Sequence, residues 1–347
     1  MSTIHDVARL SDVSVKTVSR VLNDEANVSR NTRDKVLKAI DQLSYTPHQA
    51  ARVMRSGKSN VIGLITGAIS STSKKPTDEG LPSVHILKGI QHVCRKTGKL
   101  LMLADSYGDQ GEMGRVLSLF RAHRVDAVVY IADSHRQVAF PVSANSKVLL
   151  VNCFDALGTP CVLPDECTGQ KNAVRSLYRL GHKHIAYLGL PEYMIASKLR
   201  SRSFLEAGLE CGLTLNNMTV KFVNDFDDPA SRTSSLWKPL EDLFSAENPP
   251  TAICFGNDQM AFFGKNILAG LGKNVPEDIS IVGFDNDPQF VEMMTPSLAS
   301  IELPYFRMGE KAMEFLLENL EDYPQADAPP CIVTGDYFPR DSVRSVN

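Results

Sequence analysis

From Val61 onward the chain alternates short apolar runs with amphipathic stretches, and it does so in two successive series. The first series holds VIGLIT (61–66), LLMLA (100–104), DAVVYIA (126–132) and VLLVN (148–152), with helical spacing at 84–97 and 111–123. The second holds HIAYLGL (184–190), VKFV (220–223), AICFG (252–256) and ISIVGF (279–284), with helices expected near 168–180, 198–211, 231–245 and 258–271. Runs that are apolar at every position belong to strands covered on both faces, and intervening helices are the crossovers that a parallel sheet requires. The pattern therefore predicts two parallel α/β lobes. Binding residues at the carboxyl ends of the strands would face a cleft between them. A crossover near 153–160 and a return near 287–290 would divide the lobes, and a last strand near 331–338 is expected to return to the second lobe.

The first sixty residues obey a different rule. Ile4, Val7, Ala8 and Leu10 fall on one face of a short helix. Ser14 can cap a second helix whose apolar positions are Val18, Val21 and Leu22, and a third begins after Ser29 and is expected to bury Val36, Leu37, Ile40 and Leu43. Only a few residues link the first two helices, as in a helix-turn-helix, whose second helix lies in the major groove. Val15, Lys16 and Arg20 are expected to face outward from that second helix. Charge supports this reading: residues 1–60 hold 10 Lys/Arg against 6 Asp/Glu, a balance of +4, while the remaining residues carry −7. A basic head on an acidic body points to a polyanion as partner of the head.

The string TIHDVARLSDVSVKTVSRVLNDEANVSRNTRDKVLKAIDQLSYTP, and VSVKTVSRVLN within it, resembles the head of the lactose-repressor (LacI/GalR) family of transcriptional regulators. The resemblance implies that Val15 and Lys16 set specificity at base edges and that Arg20 reads guanine through its fork. It implies that Ser14, Thr17, Ser19, Asn27, Ser29 and Thr32 hold phosphates and fix register, and it places Tyr45, His48 and Ala51 at the DNA as well. In the stretch after Tyr45, Pro47 can open a short helix and Gly57 can close it. This resembles the family's hinge helix, which enters the minor groove with its twin. Met54 stands where leucine is usual and would wedge between the central base pairs.

The body resembles the periplasmic-binding-protein-like effector domain of the same family in RLGHKHIAYLG, GNDQMA, VPEDISIVGFDN and TPSLASIELP. The resemblance implies an N-terminal three-helix head over 1–46, a hinge helix over 47–58 and a two-lobed effector and dimerisation domain over 59–347. Lobe one is expected over about 60–153 and 288–322, and lobe two over about 161–286 and 331–347. Arg200, Asn257 and Asp285 are implied as contacts for a small-molecule effector, with Phe226 stacking on it and Asn152 at the end of the crossover strand. The implied partners are a pseudo-palindromic double-stranded operator, a sugar or sugar derivative and a second copy of the chain. Where the family has a short D-x-x-N-P-F-F segment, this chain has GAISSTSKKPTDEGLPSVHILKGI, with Ser83 at a position where an aromatic is common. That departure removes any direct inference of the effector, although a missing aromatic in the first lobe favours a sugar over a nucleobase. Lys74 and Lys75 are read as part of a solvated loop.

Other classes fit less well. No apolar run approaches the ~18–20 residues of a membrane span, and the amino terminus has no basic-then-apolar export pattern, so a cytoplasmic regulator is expected. The seven cysteines include no CxxC pair, so they read as buried thiols. His182 and His184 have no acidic or thiol partner nearby in sequence, and no metal or other cofactor is expected. Motifs for a dinucleotide fold, a P-loop or a nucleophile elbow are absent, so no enzymatic activity is expected.

Overall fold

The computed structural model describes residues 2–22, 25–45, 58–67, 81–105, 110–141, 146–226, 231–324 and 328–346. The chain divides into two compact units, Met1–Asn60 and Val61–Asn347. The hinge positions His48, Ala51 and Met54 and the Lys74–Lys75 loop lie outside the described residues.

In the first unit, α1 (Ile4–Ser11), α2 (Val15–Leu22) and α3 (Arg30–Gln42) close around Val7, Ala8, Val18, Val21, Val36 and Ala39. Each start has a chemical cause. Thr3 and Asp6 form a reciprocal capping box on α1, Ser14 Oγ accepts the Thr17 N–H at 3.1 Å to open α2, and Ser29 Oγ accepts the Thr32 N–H at 3.3 Å to open α3. Asp12 ends α1 in the left-handed conformation (φ 51°), which lets the chain reverse within three residues. Two expected core positions are exposed instead, Leu10 at 50% and Leu37 at 47%. On α1 the inward arc runs through Val7, Ala8 and Ser11, and the buried Ser11 hydroxyl donates to the Val7 carbonyl at 2.6 Å. On α3 that arc runs through Val36 and Ala39, with Ile40 and Leu43 half-buried beside them, and Leu37 falls about 100° off Val36.

The second unit contains, among the described residues, two six-stranded sheets. In the first, β1 (Val61–Thr66), β2 (Leu100–Asp105), β3 (Ala127–Gln137), β4 (Val148–Phe154), β5 (Cys161–Pro164) and β11 (Cys331–Val333) lie in the order β11-β5-β4-β3-β1-β2. In the second, β6 (Ile185–Gly189), β7 (Met218–Phe222), β8 (Ala252–Phe255), β9 (Ser280–Asp285), β10 (Ala299–Glu302) and β12 (Tyr337–Phe338) lie in the order β12-β10-β9-β8-β6-β7. All pairings are parallel except β10 with β12. Helices α4 (Leu81–Thr97), α5 (Gln110–Ala122) and α11 (Tyr305–Asn319) accompany the first sheet. The second has α6 (Thr168–Arg179), α7 (Ile195–Glu210), α8 (Arg232–Phe244), α9 (Asp258–Gly270) and the single turn α10 (Pro288–Val291). Each sheet carries a separate apolar core on either face, as a doubly wound sheet should.

The strands and helices read from the sequence stand where expected, but the lobe boundaries do not. β5 pairs with β4 in the first sheet, although 161–286 was expected in lobe two. β10 pairs with β9 in the second sheet, although 288–322 was expected in lobe one. The segment 331–338 is two strands, β11 on the first sheet and β12 on the second. The chain thus passes between sheets three times, at 165–167, 303–304 and 334–336. A four-residue apolar strand carries no mark of which sheet it joins; its partners decide that. The passages are stitched together: Asp165 Oδ2 accepts the Thr334 hydroxyl at 2.9 Å, and the Glu302 N–H donates to the Asp336 carbonyl at 2.8 Å.

Candidate functional site

On the head, α2 presents Lys16 exposed and Arg20 half-exposed, while Val15, expected outward, is half-buried against the head core. Arg20 Nε lies 3.7 Å from Glu25 Oε2, and both side chains are nearly half-exposed. So loose a surface pair stabilises little and leaves the guanidinium able to turn to another acceptor. The expected phosphate holders fall into two hydroxyl pairs at helix starts: Ser14 with Thr17 (2.9 Å) and Ser29 with Thr32 (2.8 Å). Both helix starts also offer N–H groups and the positive end of a helix dipole, the combination that binds phosphate oxygens. Ser19 is half-buried on α2, Asn27 is exposed between α2 and α3, and Tyr45 packs against the core behind α3.

In the body a cavity of about 530 Å³ takes its lining from both lobes: Pro82 and His85 of α4, Asn257, Asp285 and Phe290 of the second lobe, and Tyr305 and Phe306 at the start of α11. Asn257 caps α9, its side-chain oxygen accepting the Met260 N–H at 2.7 Å. Asp285 ends β9 with φ 119°. Burial pushes its carboxyl well above the usual range, and the Arg200 charge pulls against that.

The remaining expected contacts are placed differently. Arg200 does not line the cavity; it is 3% exposed. Its Nε donates to Glu166 Oε2 at 2.7 Å, its Nη1 to the Gly256 carbonyl, and its guanidinium lies 3.7 Å over the Phe284 ring. Phe226, expected to stack on a ligand, is 4% exposed in the second-lobe core, with the Phe263 ring edge-on at 75° and 6.4 Å away. Asn152 is buried at φ 61°, its amide donating to the Ala132 carbonyl at 3.2 Å. Ser83 is buried too, and the first lobe supplies its aromatic faces from Tyr305 and Phe306 instead, so a missing aromatic no longer disfavours a nucleobase.

Glu166 is a residue that sequence reasoning missed. It lies in the first passage between sheets and is 2% exposed, with Arg200 on one oxygen and His135 Nδ1 3.2 Å from the other. Burial would raise its carboxyl, but Arg200 and His135 together hold it below the usual value. Because His135 lies on β3 and Arg200 on α7, these contacts through Glu166 join one lobe to the other. Its only sequence signal is PDEC, after an apolar run too short to stand out as a strand. His182 and His184 are structural: His182 bonds Thr251 (2.9 Å) and the Arg344 carbonyl (3.0 Å), and His184 bonds Asn217 (3.1 Å). No cluster of three metal-ligating side chains occurs among the described residues, and no helix there is long and apolar enough to cross a membrane.

Two family descriptions match the chain. "Bacterial regulatory proteins, lacI family" covers residues 3–48, and "Periplasmic binding protein-like domain" covers 174–343. The sucrose operon repressor of Escherichia coli is 30% identical over 327 residues, covering 92% of this chain and 95% of its own length. The HTH-type transcriptional repressor PurR of Aliivibrio salmonicida is 30% identical over 326 residues, covering 93% of each. Among solved structures, the Lac repressor dimer bound to operator and the anti-inducer ONPF superposes with a TM-score of 0.72 at 21% identity, covering 99% of both chains.

Proposed function

The chain belongs to the LacI family of bacterial regulatory proteins, and from that premise we propose that it represses a carbohydrate-use operon under the control of a neutral sugar or sugar derivative bound in the cavity between its lobes. The observation that carries the ligand class is the lining itself. Asp285, Asp287 and Asn257 gather acceptor oxygens beside the aromatic faces of Phe290, Tyr305 and Phe306. Hydroxyl groups can donate to those oxygens while the apolar face of a sugar ring covers an aromatic. A free anion would meet the carboxylates of Asp287 and Glu302, and Arg307 Nη2 already donates to Glu302 Oε2 at 2.5 Å. Asn257 and Asp285 are the proposed direct contacts; Arg200 acts through Glu166 and the Gly256 carbonyl rather than by gripping the ligand. The name of a sucrose operon repressor among the relatives supports the same class.

On DNA, two copies present their heads to a pseudo-palindromic operator, α2 in the major groove and Met54 of each hinge at the central minor groove. Ligand and operator affinities are then linked, each altering the other by the same factor. Calorimetry of the full chain against sucrose, cellobiose, sugar acids, sugar phosphates and purines tests the ligand class. Binding of a neutral sugar that is lost in Asp285→Ala, with operator binding retained, is expected. Tight purine binding, which the aromatic faces on both lobes would accommodate, would replace the sugar reading with a nucleobase one.

A further inference from the structure

Asp258 comes directly after the cavity residue Asn257, yet its side chain turns into the protein and is wholly buried. Oδ1 accepts the Ser300 hydroxyl at 2.5 Å and Oδ2 accepts the backbone N–H of Asp287 at 2.8 Å. Ser300, wholly buried on β10, in turn accepts the backbone N–H of Asn286 at 3.0 Å. One pair of side chains from α9 and β10 therefore satisfies two successive amides of the loop 285–287. That loop carries two adjacent residues at positive φ, Asp285 (119°) and Asn286 (55°), where side-chain-bearing residues rarely settle unless their surroundings over-determine them. The fit leaves no slack. A Cβ on Gly283 would stand 2.0 Å from Asp258 Oδ1, so the carboxyl occupies space that only glycine leaves open. On the far side Arg340 Nη2 donates to Asn286 Oδ1 at 2.7 Å and Nη1 to the Leu298 carbonyl at 2.8 Å.

Burying a carboxyl in a lobe core opposes stability unless its bonds serve another end. Here the bonds end on the loop whose side chains Asp285, Asn286 and Asp287 line the cavity. We propose that Asp258 and Ser300 are positioning residues for the effector cavity, holding the loop 285–287 in the conformation that presents Asp285 to the ligand. The inference rests on reading that cavity as the effector site.

Amide hydrogen exchange on the full chain, with sucrose as the titration probe, separates the two claims. Losing one buried hydrogen bond corresponds to roughly a tenfold change in an opening equilibrium. Ser300→Ala and Asp258→Asn should therefore speed exchange of peptides covering 284–288 about tenfold, while Ser300→Thr, which keeps the hydroxyl, stays near wild type. Peptides from β6 and β8 should be unchanged in all three, and sucrose affinity should fall in the first two variants and recover in Ser300→Thr. Unchanged exchange in the loop would overturn the proposal, and so would acceleration spread evenly over the second sheet. Faster loop exchange with undiminished sucrose binding would also overturn it. Absence of sucrose binding by the wild type would instead remove sucrose as the ligand, leaving the exchange data to decide the role of Asp258 and Ser300.

Discussion

Arg20 and Asp258 show how much a single side chain does here, and how differently sequence exposes each. Arg20 could be singled out because it stands in a string whose every neighbour fits a recognition helix, and the structure leaves it half-exposed on α2 with only a 3.7 Å contact to Glu25. Arg20→Ala should weaken binding to the preferred operator by about 1–3 kcal/mol and relax preference at one base pair per half-site. Fluorescence anisotropy on operators varied one base at a time reads both effects, and a uniform loss across all sequences would remove Arg20 from base reading. Asp258, by contrast, looks like an ordinary helix residue in GNDQMA. Burial pushes its carboxyl up to about 7, with the Ser300 hydroxyl and the Asp287 N–H opposing. Asp285 and Asp287 face it as further acids, and the Arg340 charge opposes them. A folded-state value above the unfolded one means the native state binds the proton more tightly, so this group's contribution is full below about pH 4 and is lost as pH rises through 7. The melting temperature of wild type should accordingly fall between pH 5 and pH 7.5 more steeply than that of Asp258→Asn. Parallel pH profiles would mean that Asp258 titrates as an ordinary carboxyl.

At the scale of elements, strands and helices were legible because periodicity is a local property, whereas sheet membership is not. VIGLIT and ISIVGF announce buried strands, and β1 and β9 occupy those positions. CVLP and ASIE are too short to stand out, and which sheet they join depends on partners that local periodicity cannot reveal. Phe226 misled for a related reason. An aromatic after a strand can face a cleft or a core, and only the packing of Phe263 and Arg232 around it decides. Beside Phe290, the cavity's aromatic faces come from the start of α11, placed by its close approach to α4. A Cβ on Gly309 would lie 2.1 Å from the Ile86 carbonyl, and one on Gly89 would lie 2.0 Å from the Phe306 carbonyl. Backbone atoms cannot yield as a side-chain tip can, so Gly309→Ala should push the two helices apart and destabilise the body by about 1–3 kcal/mol. Because the same shift moves Tyr305 and Phe306, ligand affinity should fall in step. Thermal unfolding and calorimetry on this variant check both, and an unaltered melting temperature would show that the helices have room to spare.

For the whole molecule, charge and fold divide the work between two units. The basic head carries hydroxyl-capped helix starts and an arginine whose fork is only loosely held, and the acidic body carries a cavity rimmed by acceptors and aromatics with a buried His135–Glu166–Arg200 chain joining its lobes. We propose that the head reads DNA sequence in two copies related by symmetry. Selection of binding sites from a random duplex pool by the full chain, with sequencing of the retained duplexes, tests it most directly. An enriched pseudo-palindrome of two half-sites is expected, with one guanine position per half-site that loses its preference in Arg20→Ala. A pool without enrichment, or a single asymmetric site indifferent to Arg20, would contradict it.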